Sequence, residues 1–353
     1  MRALRGVCGR PLLKTQLKLS VIDQSPVSAG FTPADALHNT IELARLADRL
    51  GYHRYWIAEH HAIPALASPA PEILIDRVAT ETSGIRVGSG AVLLPHYSPL
   101  KVAETFRVLH ALYPDRIDLG IGRAPGGTPL DSYALRCERD RQPPGDDFPK
   151  LLVELMAFLY GGFRPDHPFS RIVVSPAMPG GPDLWLLGSS LWSASAAAQL
   201  GLPYAFAHFI DQMPTRPAFE HYRSHFIPAN GSQPQTILAL GVICAETDEE
   251  ADRLAASARL FRRRVRQGDV RPIPTPEDAL AELGPRTAEP VLETGEWPRY
   301  VMGSPERVRT QLLDMSSQLA VDELMVVTIV HDHRARLRSY ELLAEAFDLR
   351  PRS

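Results

Sequence analysis

The segment Ile85–Gly127, IRVGSGAVLLPHYSPLKVAETFRVLHALYPDRIDLGIGRAPGG, constrains the fold more than any other stretch of this chain. It reads as strand, loop, helix, strand, and then a glycine- and proline-rich loop carrying one arginine. Ile85–Leu94 is short and apolar, yet Gly88, Ser89 and Gly90 stand where a strand is usually bulky. Small residues inside a strand mark the close approach of another backbone or of a ligand. Ser98 predicts an N-cap and Pro99 a first helical residue. Leu100, Ala103, Phe106, Val108 and Leu109 then give an apolar helical stripe. Ile117–Gly122 is again apolar, and Arg123 follows where that strand ends. A βαβ unit with cleared strand ends and a cation beside them is suited to a flat anionic ligand.

The alternation continues through the chain. Strands are expected at Leu17–Ile22, Arg54–Ala58, Leu184–Leu187, Tyr204–Ala207, Ile237–Ala245 and Glu323–Val330. Helices are expected at Ala34–Leu50, from a cap at Ser68 to about Thr82, and at Asp147–Leu159, Ser193–Leu200, Ala218–Phe226, Pro305–Leu319 and Ala335–Phe347. The first of these puts Leu37, Ile41, Ala44, Ala47 and Leu50 on one face and stops at Gly51. Another, capped by Thr247 with an acidic first turn, runs to about Gln267. Eight strands alternating with helices imply parallel pairing, and eight is the count at which such a sheet closes. The expected fold is a single (β/α)8 TIM barrel over residues 16–350 with long βα-loop insertions at its C-terminal face. An open doubly wound sheet is the runner-up, lowered because no GxGxxG follows the first strand. Ala124–Asp146 and Gly268–Tyr300 exceed ordinary loop length, and the second reads as a mobile insertion over the site.

Composition narrows the function classes. A net charge of −3 gives no reason to expect nucleic acid or an anionic membrane as partner. No apolar run reaches the ~18 residues that span a bilayer. Residues 1–15 carry Arg2, Arg5, Arg10 and Lys14 without an apolar stretch; they read as a loose tail, or as a start upstream of the true one, and not as a secretory signal. Three cysteines, Cys8, Cys137 and Cys244, lack metal-like spacing, and the sparse odd count fits a reducing cytoplasm, with Cys244 in the core.

In such a barrel the site lies where strands end. That rule selects Asp23, Glu59-His60-His61, Gly90-Ala91, Arg123, Ser189-Ser190 with Ser193, His208, Cys244 and His331-Asp332-His333. Gly188-Ser189-Ser190 leads from a strand into a helix, so backbone N–H groups and hydroxyls there suit a phosphate, completed by Arg123. The same serines also read as an ordinary N-cap, and Arg123 as a surface ion-pair residue. Glu59-His60-His61 lacks metal-ligand spacing; its imidazoles read either as acid–base groups or as a structural pair. His331 and His333 read as substrate-side contacts or as a loop before the last helix. No nucleophile elbow or Cys/His pairing supports a hydrolase.

Taken together, the motifs RYWIAEHH (Arg54–His61), SPAPEILI (Ser68–Ile75), IRVGSGAVLLPHYSPLKVAE (Ile85–Glu104), YPDRIDLGIGRAPGG (Tyr113–Gly127), WLLGSS (Trp185–Ser190), GLPYAFA (Gly201–Ala207) and HDHRARLRSYELL (His331–Leu343) resemble the bacterial luciferase-like flavin monooxygenases, in order and over roughly residues 17–350. The resemblance implies a barrel that binds reduced FMN and reacts its C4a with O2 to a flavin hydroperoxide. It implies His60 as catalytic base and a cis peptide at Gly90–Ala91 beneath the flavin ring. It places Arg123, Ser190 and Ser193 on the phosphate and Ser189 where relatives have a glutamate near the flavin. Gly122 stands where luciferase has a cysteine, which argues against light emission. Glu59, His61, His331 and His333 are substrate-side candidates, and no metal is expected. The resemblance further implies a separate NAD(P)H:flavin reductase, a homodimer, and a small organic substrate such as an aldehyde, a sulfonate or an aromatic polyketide in secondary metabolism. Two alternatives share the barrel: an F420-dependent hydride transferase and a non-catalytic flavin binder.

Overall fold

The computed structural model describes residues 17–124, 126–135, 147–229, 231–284 and 297–351. The N-terminal tail, Cys8 and Cys137 lie outside these residues. Ten strands form one sheet: β1 (Lys18–Asp23), β2 (Arg54–Ile57), β3 (Arg86–Ser89), β4 (Val92–Leu93), β5 (Ile117–Gly122), β6 (Asp183–Gly188), β7 (Tyr204–Ala207), β8 (Thr236–Cys244), β9 (Tyr300–Gly303) and β10 (Glu323–Val327). All pairings are parallel, in the order β10-β1-β2-β3-β5-β6-β7-β8. β10 also pairs β8, from Glu323↔Ile237 to Val327↔Gly241, and closes the barrel at eight strands. The closed barrel is as expected. Among the described residues no helix is long and apolar enough to cross a membrane.

The expected strand Ile85–Leu94 is broken in two, and the register shows why. Gly88 faces Asp118 while Val92 faces Ile121, so Ser89, Gly90 and Ala91 stand opposite only Leu119 and Gly120. This is a β-bulge. The Ser89 hydroxyl spans it, donating to Gly120 O at 2.9 Å and accepting from Gly120 N at 3.0 Å. The Gly90–Ala91 peptide inside the bulge is cis. A Cβ on Gly88 would lie 2.4 Å from Asp118 O, and one on Gly120 would lie 2.1 Å from Ser89 O. The small residues at these two positions therefore admit the neighbouring strand, not a ligand.

Alternate residues of each strand point inward. Near the strand starts the interior is filled by Trp56, Trp185 and a buried ionic cluster. Arg54 donates to Asp118 at 2.8 Å and to Glu323 at 2.8 Å, with its guanidinium 4.7 Å from the Trp185 ring. Trp56 Nε1 also donates to Asp118, and Ser20 Oγ to Glu323. Toward the strand ends the inward residues shrink to Ala58, Gly90, Gly122, Ala205, Ala207 and Ala239. The barrel is thus solid at one end and hollow at the other.

Several local expectations shift. Between β8 and β10 lie two helices of fifteen or more residues, where a plain β/α repeat has one: Asp248–Arg266, capped by Thr247, and Pro305–Leu319. The expected insertion at 268–300 lies between these two helices. Part of the expected loop Gly268–Tyr300 is the helix Pro276–Leu283, whose Ala279 packs on Ala256 and Leu260; residues 285–296 lie outside the described residues. Pro129–Leu135 is likewise helical within Ala124–Asp146. Ser68 does not cap its helix, which starts at Pro71; its hydroxyl donates to Ala58 O. Ser98 precedes Pro99 as expected, without a side-chain cap bond. Val108 faces solvent at 48 % exposure, outside the buried stripe of Val102, Ala103, Phe106 and Leu109. In Pro33–Leu50 the buried face runs through Ala36, Thr40, Leu43 and Ala47, because Thr40 O accepts from the buried Tyr55 hydroxyl.

Candidate active site

The hollow end of the barrel is a cavity of about 350 Å³, within the usual range for small-molecule sites. Its floor is Ile22, Trp56, Leu187, Ala205, Ala239 and Met325, with Ala58, Ala207, Phe209 and Ile210 on the walls. Glu59, His60, Gly90, Ala91, Gly122, Arg123, Ser189, Ser190 and Ser193 all line it. Strand ends at β2, β3, β5 and β6 are thereby brought to one pocket, as the strand-end rule requires.

His60 follows β2 and is held by its backbone N–H, which donates to Ser68 O at 3.0 Å. Its Nδ1 is sealed from solvent and has no hydrogen-bond partner among the described residues. Burial, with a smaller push from His61, drives the imidazole pKa down to about 4. His60 is therefore neutral near pH 7, and the residue forms part of the cavity wall.

Glu59 has a different task. Its buried carboxylate accepts from Leu93 N at 3.1 Å, from the Tyr97 hydroxyl at 2.9 Å and from His61 Nε2 at 2.6 Å. Burial and this carboxylate together raise the Tyr97 hydroxyl pKa. Glu59 clasps the end of β2 to the chain just after the bulge. His61 completes the clasp: its N–H donates to Gly126 O, and its ring meets His96 edge-on at 5.8 Å. It does not line the cavity.

At the opposite wall, Ser190 caps the helix Leu191–Leu200. Its hydroxyl accepts from Ser193 N at 3.4 Å, while Ser193 Oγ donates to Ser190 O at 2.7 Å and lies 3.0 Å from the Tyr204 hydroxyl. Ser193 is buried, and Gly188 leaves room for it: a Cβ there would meet Ser193 Oγ at 2.4 Å. The helix N-terminus thus opens at the cavity wall with Ser189 and Ser190 half exposed beside it. Arg123, just past β5, lies with its guanidinium 4.2 Å from the centre of the Trp192 ring.

Five selected residues fall elsewhere. β10 ends at Val327, so His331 lies beyond the barrel rim, its Nε2 on Ala29 O at 2.9 Å; His333 lies 3.3 Å from Glu42. Both line a separate small cleft with Pro26, Ser28 and Phe31, and neither reaches the cavity. Asp23 is locked to Arg336 at 2.6 Å and to the Tyr55 hydroxyl. His208 bridges Thr215 Oγ1 and Pro298 O, and Cys244 is buried with its thiol pKa raised to about 12. Sequence reasoning missed Gln24, Leu93, Trp192, Phe209 and Ile210, which complete the cavity wall. Among the described residues no group of three or more potential metal ligands converges.

The model of the luciferase-like monooxygenases matches residues 17–323. The chain belongs to this family. It is 45 % identical over 332 residues to the uncharacterized protein YceB of Bacillus subtilis (strain 168), covering 94 % of this chain and 99 % of YceB. The N-acetyl-S-alkylcysteine monooxygenase of the same organism is 36 % identical over 336 residues, covering 94 % and 98 %. Among solved structures, that of apo-MsnO8 superposes with a TM-score of 0.87 at 56 % identity, covering 95 % of this chain and all of that one. The family places an oxidoreductase on this barrel, and the hollow strand ends are where this member has room for its chemistry.

Proposed function

We propose that the chain is the oxygenase component of a two-component, reduced-FMN-dependent monooxygenase acting on a small organic substrate. One observation carries the reading. A single cavity joins His60 to an arginine two strands away around the barrel and to a helix N-terminus three strands away. The residues fit a reduced flavin. Arg123, the Ser190 hydroxyl and the N–H groups opening Leu191–Leu200 suit a phosphate. Gly90, Ala91 and Gly122 leave a flat wall; a Cβ on Gly122 would stand 3.2 Å from that of Ala91. When bound, reduced FMN supplies the electrons that activate O2.

The rest falls to the protein. The apolar floor excludes water, which protects reactive species from side reactions. His60, uncharged at working pH, takes up a proton on its ring and returns it. Glu59, His61 and Tyr97 hold the wall around His60. Overall, one oxygen atom of O2 enters the substrate and the other leaves as water. A separate NAD(P)H:flavin reductase supplies the reduced cofactor, as the resemblance implies.

Anaerobic titration with photoreduced FMN tests this. The protein should bind one equivalent, and Arg123→Ala should weaken binding about tenfold or more with the fold intact, the scale of one charge-assisted bond. Unchanged affinity in Arg123→Ala would remove the phosphate assignment. Reduction of F420 by a substrate, without O2 consumption, would move the chain to hydride transfer. Tight flavin binding with no oxygen uptake above free reduced FMN would make it a non-catalytic binder.

A further inference from the structure

The contact between Arg123 and Trp192 does more than pack a surface. Trp192 is the second residue of the helix Leu191–Leu200 and shares a cavity wall with the serines that open that helix. The helix N-terminus carries a partial positive charge of about half an elementary charge. A guanidinium brought to it is repelled until an anion lies between the two. The negative face of an indole ring opposes that repulsion. Here the guanidinium sits 4.2 Å from the Trp192 ring centre, well inside cation–π range. The ring is itself braced: the buried Phe148, first residue of the helix Phe148–Tyr160, meets it edge-to-face at 5.7 Å. The order Phe148, Trp192, Arg123 therefore runs from the core to an exposed cation.

We propose that Trp192 is a positioning residue for the flavin phosphate, holding the Arg123 guanidinium at the helix N-terminus before the anion arrives. The inference rests on the flavin reading above. A long exposed arginine loses rotamer freedom when it is fixed by a ligand; a guanidinium already stacked on a braced ring loses less on binding, which is preorganisation. Trp192 also lines the cavity, and its action through Arg123 is the part read at the phosphate.

The test compares two probes that differ only in the phosphate. Dissociation constants of photoreduced FMN and photoreduced riboflavin are measured anaerobically on the full-length protein, and their ratio isolates the phosphate contribution. Trp192→Leu should lower the FMN preference over riboflavin about two- to fivefold, the range of an exposed cation–π contact, whatever common loss both probes share. Trp192→Phe, which keeps a ring against Phe148, should retain part of the preference and serves if the leucine variant does not fold. In an Arg123→Ala background, Trp192→Leu should change the ratio no further, because the two residues act as a unit. Equal losses for both probes would make Trp192 a direct flavin contact or a packing residue and overturn the proposal. So would an unchanged ratio, or the same loss without Arg123. A wild-type ratio of one would overturn the flavin-phosphate reading itself, and with it this proposal.

Discussion

The neutral state of His60 gives the most quantitative expectation. Its imidazole is shut into an apolar wall and held near pKa 4, against 6.5 for an ordinary histidine. The folded protein therefore binds this proton less readily than the unfolded chain. Stability is full above about pH 6.5 and declines as the pH falls, because the unfolded chain takes up a proton that the folded state resists until about pH 4. The separation between those values corresponds to about 3 kcal/mol at the acid end. His208, buried between Thr215 and Pro298, is also pulled to about 4, so the wild-type protein loses more than one proton's worth. His60→Gln should leave stability at pH 7.5 within about 1 kcal/mol and reduce the acid-side loss by up to about 3 kcal/mol. Urea midpoints measured from pH 7.5 to 4.5 for both proteins check this, alongside NMR titration of the ring. A His60 pKa near 6.5, or identical pH profiles for wild type and His60→Gln, would refute the burial argument.

Two further expectations concern the walls of the cavity. Gly120→Ala would drive a Cβ to 2.1 Å from Ser89 O, backbone that cannot swing aside, whereas Gly122→Ala meets only the Ala91 Cβ at 3.2 Å. The first should cost about 3 kcal/mol or more and the second about 1 kcal/mol or less, read from urea midpoints; equal costs would contradict the bulge geometry. Glu59→Leu strands three donors, on Leu93, Tyr97 and His61, and should destabilise by about 3 kcal/mol or more. Tyr97→Phe removes one of them and should cost about 1 kcal/mol. A Glu59→Leu loss no larger than that of Tyr97→Phe would show that the clasp is not a unit.

The barrel was legible because alternation of short apolar runs with capped amphipathic helices leaves few topologies, and the strand-end rule then found His60, Arg123 and Ser190 without any contact map. What the sequence hid depends on register and on neighbours. Gly88 reads as close approach either of another backbone or of a ligand, and only the register shows that it is the adjacent strand. His331 and His333 follow an apolar run that reads as strand to Val330, while pairing stops at Val327, so they emerge over the first βα loop. Gln24, Phe209 and Ile210 carry no chemistry that singles them out, and only the folded chain shows that they face the cavity.

The claim that a reduced flavin occupies the hollow strand ends can be read directly by hydrogen exchange. Amide exchange of the full-length protein is compared anaerobically with and without photoreduced FMN. Protection should concentrate at residues 89–93, 122–124 and 188–193 and leave 331–333 unchanged. Protection confined to the groove at the other end of the barrel, around Gly161, Asp183 and Pro203, or none at saturating flavin, would contradict the account.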